Sequence, residues 1–122
     1  MAALEMIRSA VTFRAIQTDS RSRAHPLLLL RYRRNDLDRT RFGISTGRRV
    51  GSAVVRNRVR RRLRTALRRM LPIIEQGWDV LIVARPQAAS AAQVELEIAL
   101  ERLFRAARML RPETAESGVP RP

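Results

Sequence analysis

Arginine dominates the residues of this sequence that could do chemistry, and it is concentrated in one segment. Residues 55–70 read VRNRVRRRLRTALRRM, and the interval from Arg41 to Arg69 holds 11 arginines and no acidic residue. Like charges one turn apart on a helix repel each other, so this segment predicts an anionic partner outside the chain. Arginine suits phosphate groups because its planar guanidinium can donate two parallel hydrogen bonds.

Side chains that usually carry enzyme catalysis are few and scattered. No cysteine occurs, which excludes disulfides and thiolate metal sites. The only histidine, His25, precedes a proline and has no recognisable catalytic partner. Asp36 and Asp38 lie in a predicted turn, where such side chains commonly bond the local backbone. We therefore expect no catalytic residue and no metal ligand in the chain.

The charge is unevenly distributed. Residues 1–70 contain 19 arginines and four acidic residues, a formal charge of +15, whereas residues 71–122 contain six arginines and seven acidic residues, a formal charge of −1. All 25 basic residues are arginine, a bias that reflects either phosphate binding or a GC-rich genome. The asymmetry favours nucleic acid or an anionic membrane as partner.

Two further patterns bear on the choice between those partners. The residues opposite the arginines are small or aliphatic and resemble core, which favours nucleic acid over a membrane surface. Neither a signal-peptide pattern nor a long apolar run occurs, so we expect a cytoplasmic protein with no membrane partner.

Periodicity predicts the elements that must position these residues. A first helix is expected over roughly Glu5–Gln17, a strand over residues 27–34, and a returning strand over residues 40–45 that pairs with it as a hairpin. The arginine segment is predicted to be a helix that begins at Ser52, ends at Pro72 and buries one apolar face. That face is formed by Val55, Val59, Leu63, Ala66, Leu67 and Met70.

The second half of the chain completes the predicted fold. WDVLIVAR, residues 78–85, is predicted to be a buried strand, and a leucine-rich helix follows it. This order of elements is typical of an α+β sandwich in which helices cover a small sheet. We expect one domain over residues 1–110 and a flexible C-terminal tail over residues 111–122.

Two aromatic residues suggest a second binding surface. Single-stranded nucleic acid is commonly held by aromatic stacking in a basic groove, and Phe13 and Tyr32 are candidates for such a groove between the first helix and the sheet. The alternative for both is core packing. Trp78, Phe42 and Phe104 are expected in the core.

The segment FGISTGRRVGSAVVRNRVRRRLR, residues 42–64, closely resembles the signature of the bacterial ribonuclease P protein subunit. In that signature, a strand leads through a basic, glycine-bounded loop into a helix that begins with Arg-Asn-Arg. GWDVLIVARP and PLLLLRYRR are also similar to that family, and the likeness spans residues 7–110. It implies a two-layer α/β sandwich of the ribosomal S5 domain 2 type, in the order α-β-β-β-α-β-α, with a left-handed βαβ crossover through the arginine helix.

The resemblance also implies a function. The partner is a catalytic RNA subunit, and the complex removes the 5′ leader from precursor tRNA. The RNA supplies the active site and holds most of the Mg²⁺, while the protein raises the affinity for substrate and Mg²⁺. A ribosome-associated or DNA-compacting basic protein and a protein-only nuclease are the alternatives.

Site residues carry over position by position from the resemblance. Those expected to contact the RNA subunit are Arg56, Asn57, Arg58, Arg60, Arg61, Arg64 and Arg68. Those expected at the leader cleft are Phe13, Tyr32, Arg48 and Arg49. The sequence departs from the family where Gln17 replaces a second aromatic residue found in many members, which weakens the case for extended stacking on the leader.

Overall fold

A computed structural model describes residues 3–112, in which three helices cover a four-stranded sheet. The elements are α1 (Ala10–Thr18), β1 (Arg21–Ala24), β2 (Leu28–Arg34), β3 (Arg41–Thr46), α2 (Ala53–Met70), β4 (Trp78–Ala84) and α3 (Gln93–Ala106). Short 3₁₀ turns span Arg48–Val50, Leu71–Ile73 and Pro86–Ser90. This order confirms the predicted α-β-β-β-α-β-α fold. Of the predicted tail, residues 113–122 lie outside the described residues.

The sheet has the strand order β1-β2-β4-β3. Strand β4 pairs antiparallel with β2 and parallel with β3, so α2 forms a crossover between two parallel strands. The predicted hairpin between residues 27–34 and 40–45 is therefore wrong, because β4 lies between them. Val80, Leu81 and Ile82 of β4 are all buried, and a strand that is apolar on both faces is most stable in the middle of a sheet.

The N-terminal segment also differs from the prediction. Helix α1 begins at Ala10 rather than near Glu5, and the Ser9 side chain accepts a hydrogen bond from the Thr12 amide at its N-terminus. The preceding residues are extended beside β3. There the Phe42 amide donates to the Glu5 carbonyl at 2.9 Å, and the Ile7 amide donates to the Phe42 carbonyl at 2.7 Å. The open edge of β3 thus provides backbone partners that a longer helix would forgo.

Helices α2 and α3 cover one face of the sheet and enclose the main core. The α2 residues buried there are those predicted from the helical period, namely Val59, Leu63, Ala66, Leu67 and Met70. Leu28, Leu30 and Tyr32 of β2 project into the same core. None of the helices within residues 3–112 has the length and apolar character needed to cross a membrane.

Helix α1 lies on the opposite face of the sheet, over a smaller core. Ile16 is fully buried there with Ile7 and Leu81, and Phe13 and Val83 pack against this cluster while remaining partly exposed. The two faces of the sheet therefore differ, since one is closed by two helices and the other is crossed by a single short helix.

A buried ion pair joins β3 to β4. Asp79 is 4% exposed, and its carboxylate accepts hydrogen bonds from Arg41 Nε at 2.8 Å and Arg41 Nη2 at 2.7 Å. Asn35 Nδ2 donates to the same carboxylate at 3.0 Å, which ties in the turn after β2. The hydrogen bond to Asp79 raises the pKa of Arg41 despite opposing desolvation, so Arg41 stays cationic at every accessible pH.

We predict that Arg41→Ala lowers the free energy of unfolding by about 2–4 kcal/mol, because it leaves the buried Asp79 carboxylate with Asn35 alone. Arg39, which pairs with Glu5 at the surface, provides the matched control. Arg39→Ala should cost less than about 1 kcal/mol. Urea denaturation at pH 7 measures both, and equal losses would show that the buried pair does not hold the strands together.

Candidate nucleic-acid interface

The eight arginines of α2 lie along the helix without any acidic neighbour in the helix itself. At about 100° per residue, positions 57, 61, 64 and 68 fall on one line directly opposite the buried face. We call Asn57, Arg61, Arg64 and Arg68 the central stripe, and all four are exposed. No hydrogen bond or ion pair to a residue within 3–112 engages the guanidinium groups of Arg61, Arg64 and Arg68. The central stripe thus presents three uncompensated cations to solvent.

Arginines on the α3 side of this stripe are bound within the protein. Arg58 Nη2 donates to the Ala89 carbonyl at 2.9 Å, and Arg62 Nη1 donates to the Ala91 carbonyl at 2.8 Å. Arg69 pairs with Glu97 of α3 at 2.6 Å. These contacts hold α2 against the turn that precedes α3 and against α3 itself.

Arg60 is bound on the β3 side of the stripe. Its Nη2 donates to Thr46 Oγ1 at 2.6 Å and its Nη1 donates to Asn57 Oδ1 at 2.8 Å. Arg56 is half-buried on the same side, and its Nε atom has no hydrogen-bond partner among the described residues. The seven residues predicted as one RNA-contacting set are therefore divided. Asn57 and three arginines form an open row, whereas the side chains of Arg58 and Arg60 also serve the fold.

Arg48 and Arg49 are both exposed on the 3₁₀ turn that follows β3. The buried Val50 anchors this turn, and Gly51 ends it with φ of 149°, where a Cβ would lie 3.0 Å from Val55. Because the turn directly follows Thr46, which binds Arg60, Arg48 and Arg49 lie at the same end of the sheet as the start of α2. Their predicted place at the border of the leader cleft stays a prediction.

Phe13 lies on the sheet face crossed by α1. Its ring is positioned over Gly43, where an added Cβ would lie 2.8 Å from Phe13 Cζ. Gly43 therefore lets the ring rest against the sheet. Leu29, Ser45 and Val83 alternate onto this face toward the C-terminal end of β3, and all three are partly exposed. Together with Phe13 they form an open floor beside α1, which we call the α1 groove.

Tyr32 does not belong to this groove, contrary to the sequence prediction. It is 3% exposed and projects with Leu28 and Leu30 into the main core on the other face of the sheet. Alternation along β2 places Arg31 on the groove side, in register with Leu81 of β4 and partly exposed. The alternation in LLLLRYRR predicts this position, because Tyr32 follows Leu30 by two residues and therefore lies on the same face of the strand.

The described residues do not fit a protein-bound Mg²⁺ ion. Within 3–112, no group of three or more histidine, cysteine, aspartate or glutamate side chains could hold a metal. The buried carboxylate, Asp79, is already engaged by Arg41 and Asn35.

The family match and the sequence relatives of this chain point to one protein family. Residues 1–108 match the family described as Ribonuclease P. The chain is 34% identical over 108 residues to the ribonuclease P protein component of Symbiobacterium thermophilum, covering 88% of this chain and 94% of the relative. It is 38% identical over 110 residues to that of Chloroflexus aggregans, covering 88% and 82%. The RNase P protein structure from Staphylococcus aureus superposes with a TM-score of 0.80 at 24% identity, covering 89% and 100%.

The division of the α2 arginines predicts different effects on stability. Arg58→Ala should lower the free energy of unfolding by about 1–2 kcal/mol, because it removes the charged hydrogen bond to Ala89. Arg61→Ala, which removes the same charge from an unengaged position, should change it by less than about 0.5 kcal/mol. Chemical denaturation of both variants measures the difference. A loss for Arg61→Ala as large as that for Arg58→Ala would contradict the division.

Proposed function

The chain belongs to the ribonuclease P protein family, and on that premise we propose that it acts as the non-catalytic, RNA-binding subunit of ribonuclease P. In this proposal it binds the catalytic RNA subunit and the 5′ leader of precursor tRNA in the cytoplasm. The single observation that carries the proposal is the central stripe, since three exposed arginines with no partner among the described residues favour binding to a polyanion.

The central stripe supports binding to the RNA subunit, whereas Arg48 and Arg49 remain predicted contacts of the leader cleft. Guanidinium groups at successive turns of α2 are spaced by about 5 Å along the helix, which suits contacts to neighbouring phosphates of folded RNA. Contacts of this kind fix the position and orientation of a protein on RNA without reading its sequence. We therefore assign the central stripe to assembly rather than to substrate choice.

The α1 groove supports binding of the single-stranded leader. Phe13 offers an aromatic face on which a base can stack, and Arg31 lies on the same side of the sheet to meet a phosphate. The exposed Gln17 follows Phe13 by one helical turn and adds no second ring. We therefore expect one stacked base rather than a continuous stack along α1.

Chemistry in the proposed complex belongs to the RNA. Cleavage of the leader requires Mg²⁺, which the RNA phosphates hold, and the protein adds cationic charge close to both RNA strands. That charge reduces the repulsion between the catalytic RNA and its substrate. The protein thereby raises the affinity for precursor tRNA and lowers the Mg²⁺ concentration that cleavage needs.

We expect the triple variant Arg61→Ala/Arg64→Ala/Arg68→Ala to bind the catalytic RNA more weakly and with less salt dependence. Loss of three phosphate contacts should reduce the slope of log Kd against log salt concentration by about 2–3. Filter binding across a salt series measures the slope. Arg102→Ala, an exposed arginine on α3, is the control for loss of charge alone. A triple variant with an unchanged slope would refute assembly through the central stripe.

Phe13→Ala should weaken binding of precursor tRNA by about tenfold while leaving binding of leaderless tRNA unchanged, because one stacked base is lost. Gly43→Ala should act in the same direction, since its Cβ displaces the Phe13 ring without removing it. Both are measured as Kd values of the reconstituted holoenzyme. If either variant weakens precursor and leaderless tRNA equally, the α1 groove does not bind the leader.

A further inference from the structure

A second concave site lies at the end of the sheet where β2 finishes and β4 begins. It has a volume of about 580 Å³, within the range of small-ligand sites, and Trp78, Arg34, Tyr32 and Arg21 contribute to its lining. Tyr32 and Trp78 belong to the strand positions that face the main core, on the other side of the sheet from Phe13. The two rings thus lie on the opposite face from the floor of the α1 groove, although Asp19 and Ser20, which follow α1, also line the site. No residue of α2 lines it.

An aromatic and guanidinium stack forms one wall of this pocket. The Arg34 Cζ atom lies 4.1 Å from the centre of the Trp78 ring, and Tyr32 meets that ring edge-on at 5.6 Å between centroids. Arg34 and Trp78 are the last residue pair of the β2–β4 register. Gly77 has φ of 97°, and a Cβ there would lie 3.4 Å from Arg34 Nη1. Gly77 therefore lies directly beside the Arg34 guanidinium group.

Positive charge surrounds the stack. Arg21 and Arg33 also line the pocket, and the carboxylate in its lining is that of Asp19. Arg33 Nη2 lies 3.8 Å from Asp19 Oδ2, and the Asp19 side chain is 85% exposed, so this pair is weak. Strand alternation places the Arg33 side chain on the α1 side with Asp19, so Arg21 and Arg34 supply the positive charge beside the stack. Tyr32, only 3% exposed, is a fixed part of its wall.

We propose that this pocket holds one unpaired purine nucleotide of an RNA strand. The base stacks against the Arg34–Trp78 wall, and Arg21, which lies opposite Tyr32 in the β1–β2 register, binds the phosphate. The combination of a flat π surface with neighbouring guanidinium groups fits a nucleotide better than an apolar ligand or a free anion. The inference rests on the proposed function only in taking RNA as the partner.

Trp78 is the only tryptophan in the chain, so its fluorescence reports directly on the pocket. We expect AMP to quench this fluorescence saturably in the full-length protein, UMP to bind more weakly, and ribose 5-phosphate to cause no quenching. Arg34→Ala should weaken AMP binding by about tenfold, while Arg102→Ala leaves it unchanged. Absence of saturable quenching by AMP, or equal affinity for AMP and ribose 5-phosphate, would overturn the proposal.

The same titration separates this inference from the proposed function. The Arg61/Arg64/Arg68 triple variant and Phe13→Ala should bind AMP as the unmodified protein does, because neither change touches the pocket lining. AMP binding that disappears in the triple variant would place the nucleotide on α2 and overturn the pocket assignment. A protein that binds AMP at Trp78 yet fails to assemble with the catalytic RNA would refute only the proposed function.

The source of the nucleotide can be mapped because the chain has no cysteine. Asp19→Cys, labelled with an iron-EDTA reagent in the reconstituted holoenzyme, generates hydroxyl radicals at the pocket. Cuts in an unpaired stretch of the catalytic RNA or of the precursor would identify which strand supplies the base. Glu101→Cys on α3 is the control. Cuts confined to duplex regions, or no cuts beyond those of the control, would overturn the proposal.

Discussion

Electrostatic repulsion along α2 is the constraint on which the rest of the structure depends. The helix carries eight arginines and no acidic residue, yet it must pack one face against the sheet and α3. The fold meets this demand at the flanks of the helix, where the carbonyls of Ala89 and Ala91, the carboxylate of Glu97 and the hydroxyl of Thr46 each accept from a guanidinium group. These acceptors lie on β3, on the turn before α3 and on α3. The same contacts therefore hold α2 in place and stabilise its flanking guanidinium groups. The row farthest from the core and the half-buried Arg56 are left without such a partner among the described residues.

The packing of α2 also makes the two faces of the sheet different. Helices α2 and α3 close one face, so the other face is available for a groove crossed only by α1. Gly43 lets the Phe13 ring lie against the sheet, and the buried pair of Arg41 with Asp79 joins the two strands that form the floor. Assembly with the RNA subunit and contact with the leader are thereby proposed for different sides of one small domain, and the chain can serve both strands at once.

Local periodicity predicted much of this fold from sequence. The buried face of α2 and the burial of β4 followed from spacing alone, because each depends on residues close together in the chain. The full order of elements came from the family resemblance, since the four exposed residues of β1 carry no apolar pattern. The pairing of β2 with β4 could not be predicted in this way. Two apolar strands joined by a turn can pair with each other as a hairpin, or a third strand from later in the chain can lie between them, as β4 does here. Tyr32 was placed in the groove as an aromatic that could stack on a base, although its position two residues after Leu30 puts it on the core face of β2. The partners of Arg58 and Arg62 are backbone carbonyls, which every residue has, so no side-chain pattern could have revealed them.

The internal contacts of the flanking arginines have a consequence for conformational entropy. A long side chain that becomes fixed on binding loses about 1.5–2 kcal/mol of rotamer freedom. Arg58, Arg60, Arg62 and Arg69 are already held by the protein, so that loss is incurred when the chain folds. An arriving RNA therefore has to immobilise fewer arginines than the eight that α2 carries.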